Sequence, residues 1–189
     1  GIFTVSRPFS KFSRFDFNAM YYNVEMRTLD IPKEQEYIDA GLYQEDLIQT
    51  LLPSVSYVYD NTIFGYTGPH DGTRFNATFT YSPKYNKNSL DFQTAEFDLR
   101  KYWMLSRDYS VALRFTGGLS EGENSQRFFL GGVPNWLNRQ FRDGLDSYIN
   151  DPENIYFSKF VMPVRGSRYY ERAGNRYFLM NTELRFPFR

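Results

Sequence analysis

The chain has 189 residues, 20% of them aromatic, and its 22 basic and 22 acidic residues cancel to a formal net charge of zero. This balance argues against a nucleic-acid-binding protein, which carries a basic excess, and the absence of cysteine excludes disulfides and thiolate chemistry. No run of about 18–20 apolar residues is present, which excludes a transmembrane helix. A membrane barrel is not excluded by this absence, because its strands show only a weak alternation over about 10 residues.

Seven segments alternate apolar and polar residues with a period of two, which predicts half-buried β-strands and an all-β fold. In chain order the predicted strands are 3–9, 14–28, 51–60, 73–82, 89–104, 108–118 and 175–188. Several exceed the ~5–6 residues typical of soluble proteins, and short connections alternate with long ones, as in outer-membrane barrels. We therefore predict a transmembrane antiparallel β-barrel, with a soluble sandwich or half-barrel as the alternative.

The alternation divides the side chains of the later strands between two faces of the predicted wall. The apolar residues predicted to face lipid are Phe75, Phe79, Leu113, Phe115, Phe178 and Leu184. The charged residues predicted to face a water-filled lumen are Glu96, Asp98, Arg100, Arg114 and Arg185. A strand that is apolar on one side and charged on the other is typical of a barrel wall.

The number and position of the strands predict an incomplete barrel. Bacterial barrels usually have an even number of strands, and an open apolar sheet with two bare edges cannot sit in lipid. Seven is odd, and the chain both begins and ends in strand. We therefore expect residues 1–189 to be one part of a larger barrel, with further strands before and after them.

The segment 120–174 is a 55-residue connection between the last two predicted strands, far longer than the ~12–15 residues that a structureless loop usually reaches. It contains Phe-Phe-Leu-Gly-Gly at 128–132 and Pro-Val-Arg-Gly at 163–166, and Glu-Leu-Arg-Phe-Pro follows at 183–187 in the last strand. This order of motifs resembles the bacterial surface-antigen superfamily of outer-membrane barrels, which includes BamA and TamA. The matching part covers about a third of the chain.

The resemblance implies a barrel of about 16 strands with an Arg-Gly loop folded into its lumen, where the arginine meets acidic residues of the wall. Carried over to this sequence, Arg165 and Gly166 form that loop and Glu183 is the acidic partner, and the lengths of loop and strand permit the contact. Ser167 departs from the family, which usually has an aromatic residue at this position.

The resemblance also implies a function, which is to insert or translocate proteins at the outer membrane without an active site. The implied surroundings and partners are outer-membrane lipid, client outer-membrane proteins and periplasmic domains of the same chain, and no nucleic acid. The alternative is a passive barrel that acts as a channel, or as a membrane anchor for a propeller-like or other periplasmic domain.

No cofactor or metal is predicted. Cysteine is absent, and the single histidine, His70, lies in the turn sequence Gly-Pro-His-Asp-Gly. The acidic residues Asp143, Asp146, Asp151 and Glu153 do not match the spacing of a calcium loop. The neighbouring carboxylates Glu96 and Asp98 have the chemistry for acid–base catalysis, but a charged, wet lumen is the simpler interpretation. We therefore predict that the chain is not an enzyme.

Overall fold

A computed structural model describes residues 1–26, 46–65, 68–107, 109–132, 158–161, 163–167 and 171–186. These residues form β-strands and no helix. The strands are β1 (Ile2–Pro8), β2 (Ser13–Met26), β3 (Asp46–Asp60), β4 (Ile63–Gly65), β5 (Gly68–Ser82), β6 (Phe92–Met104), β7 (Ser110–Glu121), β8 (Phe128–Leu130), β9 (Lys159–Val161), β10 (Arg172–Gly174) and β11 (Arg176–Arg185).

The main sheet has the strand order β1-β2-β3-β5-β6-β7-β11, and β4 pairs with β5 beside this path. Every pair in it is antiparallel. The seven strands of the path follow the seven predicted strands in order, so the prediction of an all-β, antiparallel fold is confirmed. The sheet is open, with β1 and β11 as its edge strands among the described residues.

Within the described part of the chain, no helix is long and apolar enough to cross a membrane.

Tight connections join the strands at one rim of the sheet. The turn between β1 and β2 is closed by Phe9 N donating to Ser13 O at 3.0 Å, and the turn between β6 and β7 by Leu105 N donating to Tyr109 O at 3.0 Å. We call this edge the short-turn rim. The opposite edge, where β7 ends and β11 begins, is the long-loop rim.

The connection between β3 and β5 was predicted as a loop over 61–72, and this prediction was wrong. These residues contain β4 and the start of β5, which form a small hairpin. Gly72 makes the return possible because it has a φ of 107° and a Cβ there would lie 2.6 Å from Asn61 O. Asn61 N in turn donates to Thr73 O at 3.1 Å.

The register places directly opposed residues on the same face of the sheet. Phe75, Leu99, Phe115 and Met180 oppose one another across β5, β6, β7 and β11. We call their side of the sheet the apolar face. Asn76, Asp98 and Thr116 form the next row, on the other side, which we call the polar face.

A small apolar cluster covers the polar face near the long-loop rim. It is built from Ile48, Leu90 and Phe92, with Val24 and Leu52 packed against it. Ile48 explains why β3 begins at Asp46 and not at residue 51 as predicted: its side chain is buried on the polar face, where alternation alone predicts polar residues. Beside the cluster, the buried hydroxyls of Thr50 and Ser82 lie 2.7 Å apart.

The predicted loop 120–174 differs from the structure at both ends and in its interior. Strand β7 continues to Glu121, and the connection contains the three short strands β8, β9 and β10. They form a separate sheet in the order β10-β8-β9, in which β8 and β9 are parallel. Three-residue strands are too short to show alternation in a sequence, and β9 pairs with a strand about 30 residues away.

Candidate functional site

The described residues between 122 and 175, which connect β7 to β11, lie across the polar face, and we call them the covering segment. Lys159 of β9 forms an ion pair with Glu96 of β6. Asn181 Nδ2 of β11 donates to Pro163 O at 3.2 Å. These contacts reach two strands that are not adjacent in the sheet, so the segment lies over the polar face of β6, β7 and β11.

Phe128 is the apolar anchor of the covering segment. Its side chain is fully buried, and its ring meets the Tyr177 ring edge-on, with centroids 4.7 Å apart. Gly118 leaves the space for both rings, because a Cβ at this position would overlap Tyr177 and lie 3.1 Å from Phe128 Cζ. An aromatic residue is therefore seated in a gap of the polar face that a glycine keeps open.

The predicted contact between the loop arginine and the strand carboxylate is present. Arg165 Nη2 lies 3.2 Å from Glu183 Oε1, and Arg185 Nη2 lies 3.1 Å from Glu183 Oε2. The Arg165 side chain is 73% exposed, so this is a solvated ion pair, which stabilises far less than a buried one. Arg185 also donates to Pro69 O at 3.1 Å and thereby ties β11 to the hairpin of β4 and β5.

Ser167 has a structural role in the turn that contains Arg165 and Gly166. Its hydroxyl donates to Val164 O at 2.7 Å and accepts a hydrogen bond from Gly132 N at 3.2 Å. Gly166, with a φ of 83°, lets the chain turn between them. The Arg-Gly turn is thus closed by a hydroxyl and joined to the Gly-Gly motif, a contact that the sequence did not indicate.

The remaining charged residues predicted for the lumen all lie on the polar face. Asp98 accepts hydrogen bonds from Arg100 Nε at 2.7 Å and from Arg114 Nε at 2.8 Å. A cavity of about 240 Å³ separates this cluster from the covering segment, with Glu96, Tyr177 and Lys159 also in its lining. Glu96 and Asp98 are each paired with cations and not with each other, an arrangement that favours structure over proton transfer.

The six residues predicted to contact lipid all lie on the apolar face, and none of them is buried. Phe178 is 65% and Leu184 is 59% exposed, and Phe115 packs with Phe178 at a ring-centroid distance of 6.3 Å. The apolar face extends well beyond the six predicted residues. Its further exposed large side chains are Phe3, Val5, Phe17, Tyr21, Leu51, Tyr81, Phe97, Trp103, Leu119 and Met180.

No group of three or more His, Cys, Asp or Glu side chains suited to a metal ion occurs in the described ranges. The acidic residues at 143–153 lie outside those ranges. His70 belongs to the hairpin of β4 and β5, where its ring occupies the space over Gly65. At the long-loop rim Lys84 pairs with Glu123, and this hydrogen bond raises the pKa of the Lys84 ammonium.

Comparison with models of known protein families and with curated proteins finds no match to this chain. The resemblance to the surface-antigen superfamily therefore depends on the motifs at 128–132, 163–166 and 183–187.

Proposed function

We propose that this chain is part of the wall of a bacterial outer-membrane β-barrel of the surface-antigen type, with a role in inserting or translocating proteins. One observation carries the proposal. The sheet has one continuous, exposed apolar face, and the part of its opposite face formed by β6, β7 and β11 is charged and covered by the chain's own covering segment.

The exposed apolar face supports a lipid environment. A sheet in a soluble domain buries its apolar side against a second layer, and a large uncovered apolar surface marks an interaction with a membrane or a partner. Here the second layer lies on the polar side, because the covering segment packs against Glu96, Tyr177 and Glu183. Strands β2, β3, β5, β6 and β7 have 12–15 residues, more than the ~9–11 that cross a bilayer when tilted.

Aromatic rings near both ends of the strands add to this argument. Toward the short-turn rim, Phe9, Phe15, Tyr57 and Phe75 form a chain of ring contacts with centroids 5.3–6.2 Å apart. Tyr81 is exposed toward the long-loop rim. Aromatic side chains at the two lipid–water interfaces are characteristic of outer-membrane barrels.

A passive membrane anchor is the second candidate function. The observation that favours it is the covering segment, which contacts the polar face through the buried Phe128 ring and through ion pairs of Lys159 and Arg165. A lumen filled in this way suits a barrel that holds another domain at the membrane better than one that conducts solutes.

The proposed membrane location is tested with single-cysteine variants. These 189 residues contain no native cysteine, so each variant is labelled at one position of this segment. A fluorophore on Phe178→Cys, Met180→Cys or Leu184→Cys of the intact protein in vesicles should be quenched by lipids with brominated acyl chains. The matched control is Leu179→Cys, on the polar face of the same strand, which should be quenched much less. Equal quenching at positions 178 and 179 would refute a lipid-facing wall.

The assembly role is tested separately from the membrane location. Depletion of the intact protein from the cell should lower the amounts of other barrel proteins in the outer membrane. Unchanged levels of those proteins, together with alternating lipid quenching, would favour a passive barrel, a channel or a membrane anchor, over the assembly factor.

A further inference from the structure

Two cationic side chains lie on the apolar face, close to the short-turn rim. Lys101 of β6 follows Leu99 by two residues, and Arg7 of β1 follows Val5 by two residues, so each shares the face of its apolar neighbour. A charged side chain in contact with hydrocarbon is costly. Two cations on a face that meets lipid therefore require a polar partner within reach.

Both cations lie near the turns that close the rim. Arg7 precedes Phe9 by two residues, and Lys101 precedes Leu105 by four. These intervals are about 7 and 13 Å along the strands, and the depth below the rim is smaller because barrel strands are tilted by about 35–45°. Long basic side chains at such a depth keep their methylene stems in the apolar layer and extend the charged group to its surface.

An aromatic ring lies beside each charged group, on the side nearer the rim. Arg7 Cζ is 5.9 Å from the centre of the Phe9 ring, and Lys101 Nζ is 5.9 Å from the centre of the Trp103 ring. Both rings are exposed. Lys101 Nζ also donates to Thr73 Oγ1 at 3.0 Å. Each cation is thus directed away from the middle of the apolar face and toward the rim.

A cation of the apolar face near the long-loop rim has a different partner. Arg176 of β11 precedes Phe178 by two residues, and its Nη2 lies 3.2 Å from Glu121 Oε1 of β7. A lipid phosphate at this rim would have to compete with a carboxylate. We therefore expect the specific lipid contacts at the short-turn rim.

We propose that Arg7 with Phe9, and Lys101 with Trp103, form two binding sites for the headgroup of an anionic phospholipid. The proposal rests on the lipid-facing wall proposed above. Guanidinium and ammonium groups donate charge-assisted hydrogen bonds to phosphate oxygens, and the neighbouring rings suit the boundary between lipid and water. An acyl chain of the same lipid covers the apolar side chains below, which a water-soluble phosphate compound cannot do.

The two sites are independent of each other. Strands β1 and β6 are separated by four strand intervals in the sheet order, about 19 Å at ~4.8 Å each. One headgroup does not span this distance, so each site takes its own lipid.

The Lys101 site is tested with the intact protein in vesicles of phosphatidylcholine and phosphatidylglycerol, one of which has brominated acyl chains. A fluorophore on Leu113→Cys, directly opposite Lys101, reports which lipid is adjacent. We expect phosphatidylglycerol to be preferred about fivefold at low salt and less as salt is raised. Lys101→Gln should abolish the preference, whereas Lys101→Arg should retain it.

The Arg7 site is tested with the fluorophore on Val5→Cys, which lies deeper in the apolar face of the same strand. Each cation is the matched control for the other, because Arg7→Gln should abolish the preference at position 5 alone and Lys101→Gln at position 113 alone. Arg14→Gln, on the polar face near the same rim and paired with Asp16 at 3.0 Å, should change neither.

The outcomes separate the headgroup sites from the membrane wall. Equal quenching by the two brominated lipids would overturn the sites and leave the wall standing, as would a preference that survives both Arg7→Gln and Lys101→Gln. Loss of the preference on addition of soluble glycerol phosphate at constant ionic strength would assign the cations to a water-soluble anion and overturn the lipid. Absence of quenching by either lipid would refute the wall, and the sites with it.

Discussion

The Phe128 ring meets the Tyr177 ring edge-on, at a centroid distance of 4.7 Å and an interplanar angle of 61°. This contact joins the first strand of the covering segment to the last strand of the main sheet. Phe128 is fully buried although it lies over a face built mainly from polar side chains. It is therefore the contact that most directly explains why the covering segment stays on the sheet.

Replacement of Phe128 by alanine should release the covering segment. Loss of a buried phenyl ring costs about 3–5 kcal/mol in protein cores. Hydrogen exchange of the Val164 amide, which donates to Gly132 O at 2.9 Å, should accelerate by about 10²- to 10⁴-fold, because about 1.4 kcal/mol corresponds to a factor of ten. Phe160→Ala is the control, since its ring is 43% exposed, and it should have a smaller effect. Unchanged exchange in Phe128→Ala would contradict the anchoring role.

Gly118→Ala should destabilise the same region, because its methyl group would occupy the space between the sheet and the rings of Tyr177 and Phe128. The added methyl would overlap the Tyr177 ring and lie 3.1 Å from Phe128 Cζ, and overpacking of this kind costs about 1–3 kcal/mol. The free energy of unfolding in urea measures the loss. Gly174→Ala is the matched control, because its nearest neighbour would lie at an ordinary 3.7 Å. Equal stability of the two variants would show that the gap at Gly118 is unimportant.

The Arg165–Glu183 ion pair should contribute little to stability. Because Arg165 is largely exposed, a double-mutant cycle of Arg165→Gln and Glu183→Gln should give a coupling of about 0.2–1 kcal/mol. The coupling should fall as salt is raised. Glu183→Gln alone should cost more than Arg165→Gln, since it also removes the partner of Arg185. A coupling above 3 kcal/mol would mean that the pair is desolvated in the intact protein.

Asp98→Asn should be the most damaging of the charge-removing substitutions on the polar face. Asp98 is the carboxylate between the directly opposed Arg100 and Arg114, and a partly buried cation that loses its charged partner costs about 1–3 kcal/mol. The loss should appear in the denaturation midpoint and decrease when Arg114→Gln is added. Asp16→Asn, with one arginine neighbour in Arg14, should cost less. The opposite ranking would show that the stability of the strand pair carrying Arg100 and Arg114 does not depend on Asp98.

The sequence by itself determined the order of the seven long strands and the division of their side chains between two faces. Both follow from the pleat of a β-strand, which places alternate residues on opposite sides whatever the strand's neighbours are. The contact between Arg165 and Glu183 could also be predicted, from the resemblance of the motifs at 163–166 and 183–187 to the surface-antigen superfamily and from the lengths of loop and strand.

Only the tertiary structure decided which residues lie side by side. Four features depend on register and on contacts between distant segments. They are the burial of Ile48 and Phe92 on the polar face, the parallel pairing of β8 with β9, the packing of Phe128 over Gly118, and the alignment of arginines from Arg74 to Arg114. Alternation describes one strand at a time and contains no information about how far that strand slides along its neighbour. The faces are therefore a local property of the chain, whereas the sites on them are created by the pairing of strands.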